Sequence, residues 1–146
     1  MAKYIYGQDV DIFYNNAEFN IEPSIDIDIF KRAMAVNVES VLAIIKYAGD
    51  VMRKNRNGGC ILCTGSTMGL LGDMVPSAYS ISKTALIGVV RAAAAELASH
   101  GVRVNAISAH LAAPCFDKGL LQQVFPHATH QQLDDTIKNY MNIARW

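Results

Sequence analysis

The chain has 146 residues, 51% of them hydrophobic and 18% charged, which suits one compact domain with a true core and excludes a disordered chain. Thirteen basic residues offset thirteen acidic ones, and no run of like charge occurs, so neither nucleic acid nor an anionic membrane surface is expected as a partner. The N-terminus, "MAKYIYGQDVDIFY", lacks a basic stretch followed by an apolar one, and no apolar run approaches the ~18 residues of a membrane span. Three cysteines (Cys60, Cys63 and Cys115) are an odd number without a secretion signal, the pattern of reduced thiols in a cytoplasmic protein.

In chain order, residues 10–14 of "VDIFYNNAEF" predict a short buried strand that breaks at Asn-Asn. Phe30, Met34, Val38, Val41, Leu42, Ile45 and Ala48 then recur at helical spacing and predict one long amphipathic helix over 27–54, with Asp26 and Asp28 as cap and first-turn charges. Lys46 on it is read as a snorkelling side chain. "NRNGG" (55–59) is a turn, "CILCTGS" (60–66) a second strand, and "MGLLGDMVP" (68–76) a loop. Cys60 and Cys63 stand three apart on that strand and point to opposite faces, so they read as apolar thiols and not as metal ligands. Residues 77–99 predict a second long helix with Ile81, Ala85, Leu86, Val89, Val90, Ala93, Ala94 and Leu97 along it, ended by Gly101. "VRVNAIS" (102–108) is a third strand, the tail 109–146 is irregular, and 130–142 could form a short helix.

This β-α-β-α-β order predicts an α/β fold with a parallel sheet, strands side by side in sequence order, and helices on both faces. A ligand crevice in such a sheet lies beyond the carboxyl ends of the strands. Asn15 to Ala17, Ser66 with Thr67, and Ser108 to His110 fall there.

Tyr79 and Lys83 sit four apart near the start of the second long helix, so their side chains are neighbours. An unperturbed phenol, with a pKa of ~10, is a poor base at neutral pH. A nearby ammonium favours the phenolate, and a phenol so tuned can exchange a proton with a substrate oxygen. Ser66 offers a hydroxyl to hold the same oxygen. Tyrosine and lysine are also common helix residues, so the pair alone reads as ordinary surface chemistry.

Taken with their surroundings, these residues resemble the short-chain dehydrogenase/reductase family. "GSTMGLLGDMVPSAYSISK" places Ser66 thirteen residues before the Tyr79-x-x-x-Lys83 pair, "NNAE" (15–18) matches the family's Asn-Asn-Ala-Gly in three of four positions, Asn37 stands in "MAVNVES", and "GVRVNAIS" follows the tyrosine helix. "IKYA" and "ELASHGVRVNAIS" look like the plant secoisolariciresinol and xanthoxin dehydrogenase type. Over residues 3 to 114 the resemblance implies a partial Rossmann-like, doubly wound fold and hydride transfer between NAD or NADP and a small secondary alcohol or ketone. It implies Tyr79 as acid/base, Lys83 as the residue that tunes it and holds the nicotinamide ribose, Ser66 as the group orienting substrate oxygen, and Asn37 as the anchor of a relay water through a helix distortion. Asn15 and Ala17 would line the adenosine side of the cofactor cleft. The helices at 27–54 and 77–99 would form an oligomer interface.

The chain departs from the family in instructive places. It contains no Gly-rich turn of the G-x-x-x-G-x-G kind, and it starts where the family's third helix is ending, so it reads as a single partial domain over 1–146, truncated at both ends. Glu18 replaces a motif glycine and brings charge to the cleft. "AHLAAP" puts Ala109 and His110 where the family has Pro-Gly, making His110 a candidate substrate contact. A second reading follows from these departures: an inactive, truncated paralogue that acts by pairing with full-length relatives. A third is proton transfer by Tyr79 without redox chemistry. His127 and His130 in "HATH" read as surface histidines.

Overall fold

The computed structural model describes residues 9–19, 26–55, 57–71, 77–109, 119, 122 and 125–143. Three parallel strands stand in sequence order: β1 (Ile12–Asn15), β2 (Gly59–Ser66) and β3 (Val102–Ala109). Their register aligns Phe13 with Ile61 and Ile61 with Val104. Side chains alternate across the sheet, so Phe13, Ile61, Cys63, Val102 and Val104 share the face that packs into the core. The expectation of helices on both faces is met on one face among the described residues, and the other presents Ile12, Tyr14 and Ile107 to solvent. Cys60 and Cys63 point to opposite faces as predicted, Cys63 being fully buried. Burial pushes the Cys63 thiol up to about 11, with the Lys83 ammonium opposing the shift. Cys60 is therefore expected to react with iodoacetamide at neutral pH while Cys63 reacts only on unfolding, a contrast that peptide mass mapping reads directly.

The first helical rod begins at α1 (Ile27–Met34), where the Asp26 carboxylate accepts the backbone N–H groups of Asp28 at 2.8 Å and Ile29 at 3.0 Å. Those two bonds, Ile29 first, hold the Asp26 carboxyl below its ordinary range. The helix expected over 27–54 is interrupted at Asn37, where the resemblance implied a distortion. A π-turn occupies Ala35–Glu39 before α2 (Ser40–Met52) resumes. Such a turn carries one residue more than the α ladder accommodates and is common at functional positions; Asn37 lies at its centre.

The segment read as a loop from 68 contains a short helix, α3 (Met68–Leu71), and residues 72–76 lie outside the described residues. The second rod, α4 (Ser77–Leu97), passes into a single 3₁₀ turn and stops at Gly101, whose φ of 70° is the left-handed conformation that glycine accepts most easily. Helix α5 (His130–Ile143) confirms the tentative helix of the tail.

Two expected core residues are on the surface: Leu42 is 53% exposed and Ile81 48%. The reason at Ile81 is visible along α4. Its buried stripe runs Leu97, Ala93, Val90, Leu86, Lys83 and Ser80, with Ser82 alongside. The stripe changes from apolar to polar as it nears the carboxyl ends of the strands, so hydrophobicity alone misplaces its first turn.

Candidate active site

The polar end of α4 meets the end of β2. Lys83 is 1% exposed, and its Nζ donates to the Thr64 carbonyl of β2 at 2.9 Å. The same ammonium pairs with Glu18 Oε2 at 2.7 Å. Tyr79, one helical turn earlier, donates its hydroxyl to that same Glu18 oxygen at 3.2 Å, and its ring centroid lies 5.5 Å from Lys83 Nζ. One carboxylate oxygen thus joins the phenol and the buried ammonium. The Tyr79 hydroxyl therefore meets a carboxylate that is already paired with the Lys83 ammonium.

Ser66, the last residue of β2, is buried, and its Oγ accepts the Met68 N–H at 3.2 Å. Ser80 Oγ donates to the Met68 carbonyl at 3.0 Å, and Thr84 Oγ1 to the Gly69 carbonyl at 2.7 Å. These bonds lace α3 to the first turns of α4 and tie Ser66 to the helix that carries Tyr79 and Lys83. The approach is close enough to require glycine: a β-carbon at Gly69 would come within 2.7 Å of the Lys83 backbone carbon.

Asn37 is 1% exposed and makes three hydrogen bonds. Its Oδ1 accepts the Phe19 N–H at 2.7 Å, and its Nδ2 donates to the Phe19 carbonyl and to Ser82 Oγ, both at 3.0 Å. Ser82 Oγ in turn donates to the Tyr79 carbonyl at 2.7 Å. The π-turn, the segment after β1 and the first turn of α4 are therefore clamped at one amide. Asn15 is buried at the end of β1, whereas Ala17 lies exposed in the segment that follows. That segment is pinned to β2 by a cluster outside the expected site: Thr64 Oγ1 donates to Asn16 Oδ1 at 2.7 Å, and the Tyr14 hydroxyl lies 2.9 Å from Thr64 Oγ1 and 3.0 Å from Asn16 Oδ1.

The structure thus gathers Tyr79, Lys83 and Glu18 in direct contact, with Asn37 bonded to the same helix through Ser82 and Ser66 linked to it through Met68. His110 lies outside the described residues, as does Cys115; His127 and His130 are exposed on the tail. The Glu18 contacts, the Thr64 carbonyl and the Asn37–Ser82 link were not among the expected contacts. Glu18 alone left a trace in the sequence, as a charge where glycine was expected; the others are backbone or cross-element contacts that no local pattern announces.

A parallel α/β sheet with a phenol, a buried ammonium and a serine at its carboxyl edge defines a Rossmann-like protein with a polar site at the strand ends. The chain belongs to the short-chain dehydrogenase/reductase family, and residues 2–134 match the family model described as Enoyl-(Acyl carrier protein) reductase. It is 47% identical over 105 residues to a protein of Arabidopsis thaliana named Short-chain dehydrogenase reductase ATA1, covering 69% of this chain and 39% of the relative. It is 38% identical over 109 residues to (+)-borneol dehydrogenase 2 of Salvia officinalis, covering 71% of this chain and 38% of the relative. Among solved structures, an NAD+-bound xylitol dehydrogenase superposes with a TM-score of 0.72 at 31% identity, over 84% of this chain and 47% of the other. The chain therefore spans about two fifths of the length of the curated relatives it matches. Among the described residues no helix is long and apolar enough to cross a membrane.

Proposed function

We propose that this chain carries the proton-transfer half of an NAD- or NADP-dependent oxidoreductase that interconverts a small secondary alcohol and its ketone. The observation that carries the reading is the convergence of the Tyr79 hydroxyl and a fully buried Lys83 ammonium on one oxygen at the carboxyl edge of the sheet, on a helix linked to Ser66 through Met68 and Ser80. In the oxidising direction Tyr79 receives the proton of the substrate hydroxyl; in the reducing direction its O–H protonates the carbonyl oxygen. Ser66 holds that oxygen by hydrogen bonding. Lys83 supplies the positive charge that favours the phenolate, and with Tyr79 it has the donors to hold the ribose hydroxyls of NAD or NADP. The cofactor, when bound, supplies the hydride. Asn37, at the π-turn, holds the segment after β1 against α4, and Asn15 and Ala17 lie on the side assigned to the adenosine. The named chemistry of the relatives, among them a borneol dehydrogenase, supports an apolar secondary alcohol as the substrate class.

Titration of the purified chain with NADH and with NADPH, followed by nicotinamide fluorescence, tests this reading. Saturable binding of either supports it and decides between them. No binding of either up to millimolar concentration overturns it for this chain.

A second reading, pairing with another copy or with a full-length relative, is favoured by the groove between α2 and α4. It has a volume of about 940 Å³ and is lined by apolar residues, Leu42, Ala43, Val89 and Ala92 among them, and by charged ones that include Lys46, Arg53 and Glu96. Gly88 has open space where a β-carbon would be, and Leu42 is 53% exposed, so a second pair of helices can approach closely and cover apolar surface. Ala92→Glu is expected to convert an oligomer to a monomer in size-exclusion chromatography with light scattering, and an unchanged mass would place the interface elsewhere.

A further inference from the structure

We propose that Glu18 is an internal occupant of the Tyr79–Lys83 site, a residue whose carboxylate fills the position of a ligand oxygen and must swing out before a ligand binds. The inference rests on the proposed oxidoreductase reading and extends it to the control of that site.

The geometry is that of a bound oxygen. Glu18 Oε2 stands 2.7 Å from Lys83 Nζ and 3.2 Å from the Tyr79 hydroxyl. Both donors are those that the reading above assigns to a ribose hydroxyl or a substrate oxygen; the phenol has one hydrogen, which cannot serve two acceptors well, and the Glu18 oxygen that accepts it also sits against the ammonium. A ligand oxygen placed between the phenol and the ammonium would coincide with the carboxylate. Ligand and Glu18 therefore compete for the same two groups.

The position also has the features of a displaceable one. Glu18 follows β1 in a segment held by side-chain bonds at Tyr14, Asn16 and Thr64, so its backbone is fixed while its side chain can rotate. That side chain is 37% exposed, so its carboxylate can move into water without crossing the core. Lys83 keeps its Thr64 carbonyl when Glu18 leaves, and the vacated side of the ammonium is then left for an incoming acceptor. A buried ammonium stripped of its carboxylate is unfavourable until something replaces it. Glu18 thus raises the affinity threshold: ligands able to accept from Lys83 and Tyr79 displace it, and apolar ligands do not.

The competition is read by measuring NADH affinity for the wild-type chain, Glu18→Gly and Glu18→Gln. Removing the occupant should lower the dissociation constant by about tenfold in Glu18→Gly, with Glu18→Gln between, since an amide oxygen still accepts but carries no charge. Equal affinity in all three chains overturns the proposal and leaves the oxidoreductase reading standing. If none of the three binds NADH or, titrated alongside it, NADPH, that reading falls, and the occupant is judged by a ligand-free measurement: the rate of Lys83 acetylation by acetic anhydride, mapped by peptide mass and referred to the exposed Lys31 in the same chain. Loss of the carboxylate that holds the ammonium should raise this ratio about threefold or more in Glu18→Gln, a variant that changes shape least. A ratio unchanged from wild type overturns the proposal.

Discussion

Tyr79→Phe is expected to lower turnover by about 10²–10⁴-fold, the range in which a positioned proton donor acts, while weakening cofactor binding by no more than about tenfold, the loss of one hydrogen bond with Lys83 still in place, and leaving the thermal midpoint close to wild type. The substitution removes one oxygen and nothing else. The ring stays in place because it packs against Ala33 and Ala78, with Phe19, Ile29 and Phe30 around them, and those contacts belong to carbon atoms that phenylalanine shares. Lys83 keeps both its Thr64 carbonyl and its Glu18 carboxylate, so the buried charge remains paired. What disappears is the group proposed to give and take the substrate proton. Steady-state rates with a secondary alcohol, alongside NADH titration and thermal unfolding, separate the outcomes. Loss of turnover with retained binding supports the assignment. Retained turnover refutes it, and a collapsed midpoint would show that the hydroxyl holds the fold instead.

Much of this site was legible because its residues are spaced by periods that chemistry and geometry share. Tyr79 and Lys83 are one helical turn apart, and that spacing alone makes them neighbours. Ser66 ends an apolar strand, and strand ends are where parallel sheets open to ligands. The sheet order follows from alternating strands and helices of ordinary length, and it is found as expected. The misreadings have physical causes too. Ile81 has the hydrophobicity of a core residue, but on its turn of α4, next to the polar strand ends, Ser80, Ser82 and Lys83 take the buried positions. The π-turn at Ala35–Glu39 has residues of ordinary helical character, so periodicity does not announce it and only the family resemblance implied a distortion at Asn37; what sustains it is Asn37 reaching to Phe19 and Ser82, eighteen and forty-five residues away in sequence. Glu18 could be recognised as a misplaced charge, but only the fold shows that its oxygen lies between Lys83 and Tyr79.

Asn37→Ala should cost about 2–4 kcal/mol of folding stability, since a buried partner is removed and several polar groups are left without it. The amide satisfies both the N–H and the carbonyl of Phe19 and also bonds Ser82 Oγ, and it does so at 1% exposure, where water has little access to replace it. A domain of this size has a total stability of about 5–15 kcal/mol, so the loss is a large share of it. Asn37→Asp tests whether shape or donor capacity matters. The carboxylate can still accept from Phe19 N–H, but it cannot donate to the Phe19 carbonyl or to Ser82, and it adds a buried charge. It should therefore be at least as destabilising as alanine, although it is nearly isosteric. Ser82→Ala removes one member of the same network, and its effect combined with Asn37→Ala should fall short of the sum of the two, because the bond between them is lost only once. Urea unfolding of the wild type, the three single variants and the double variant measures all of this in one series. A loss below about 0.5 kcal/mol for Asn37→Ala, the ordinary scatter of surface substitutions, would mean that the clamp is dispensable. Ser82 also bonds the Tyr79 carbonyl, so a large loss would tie the stability of the π-turn to the placement of the phenol.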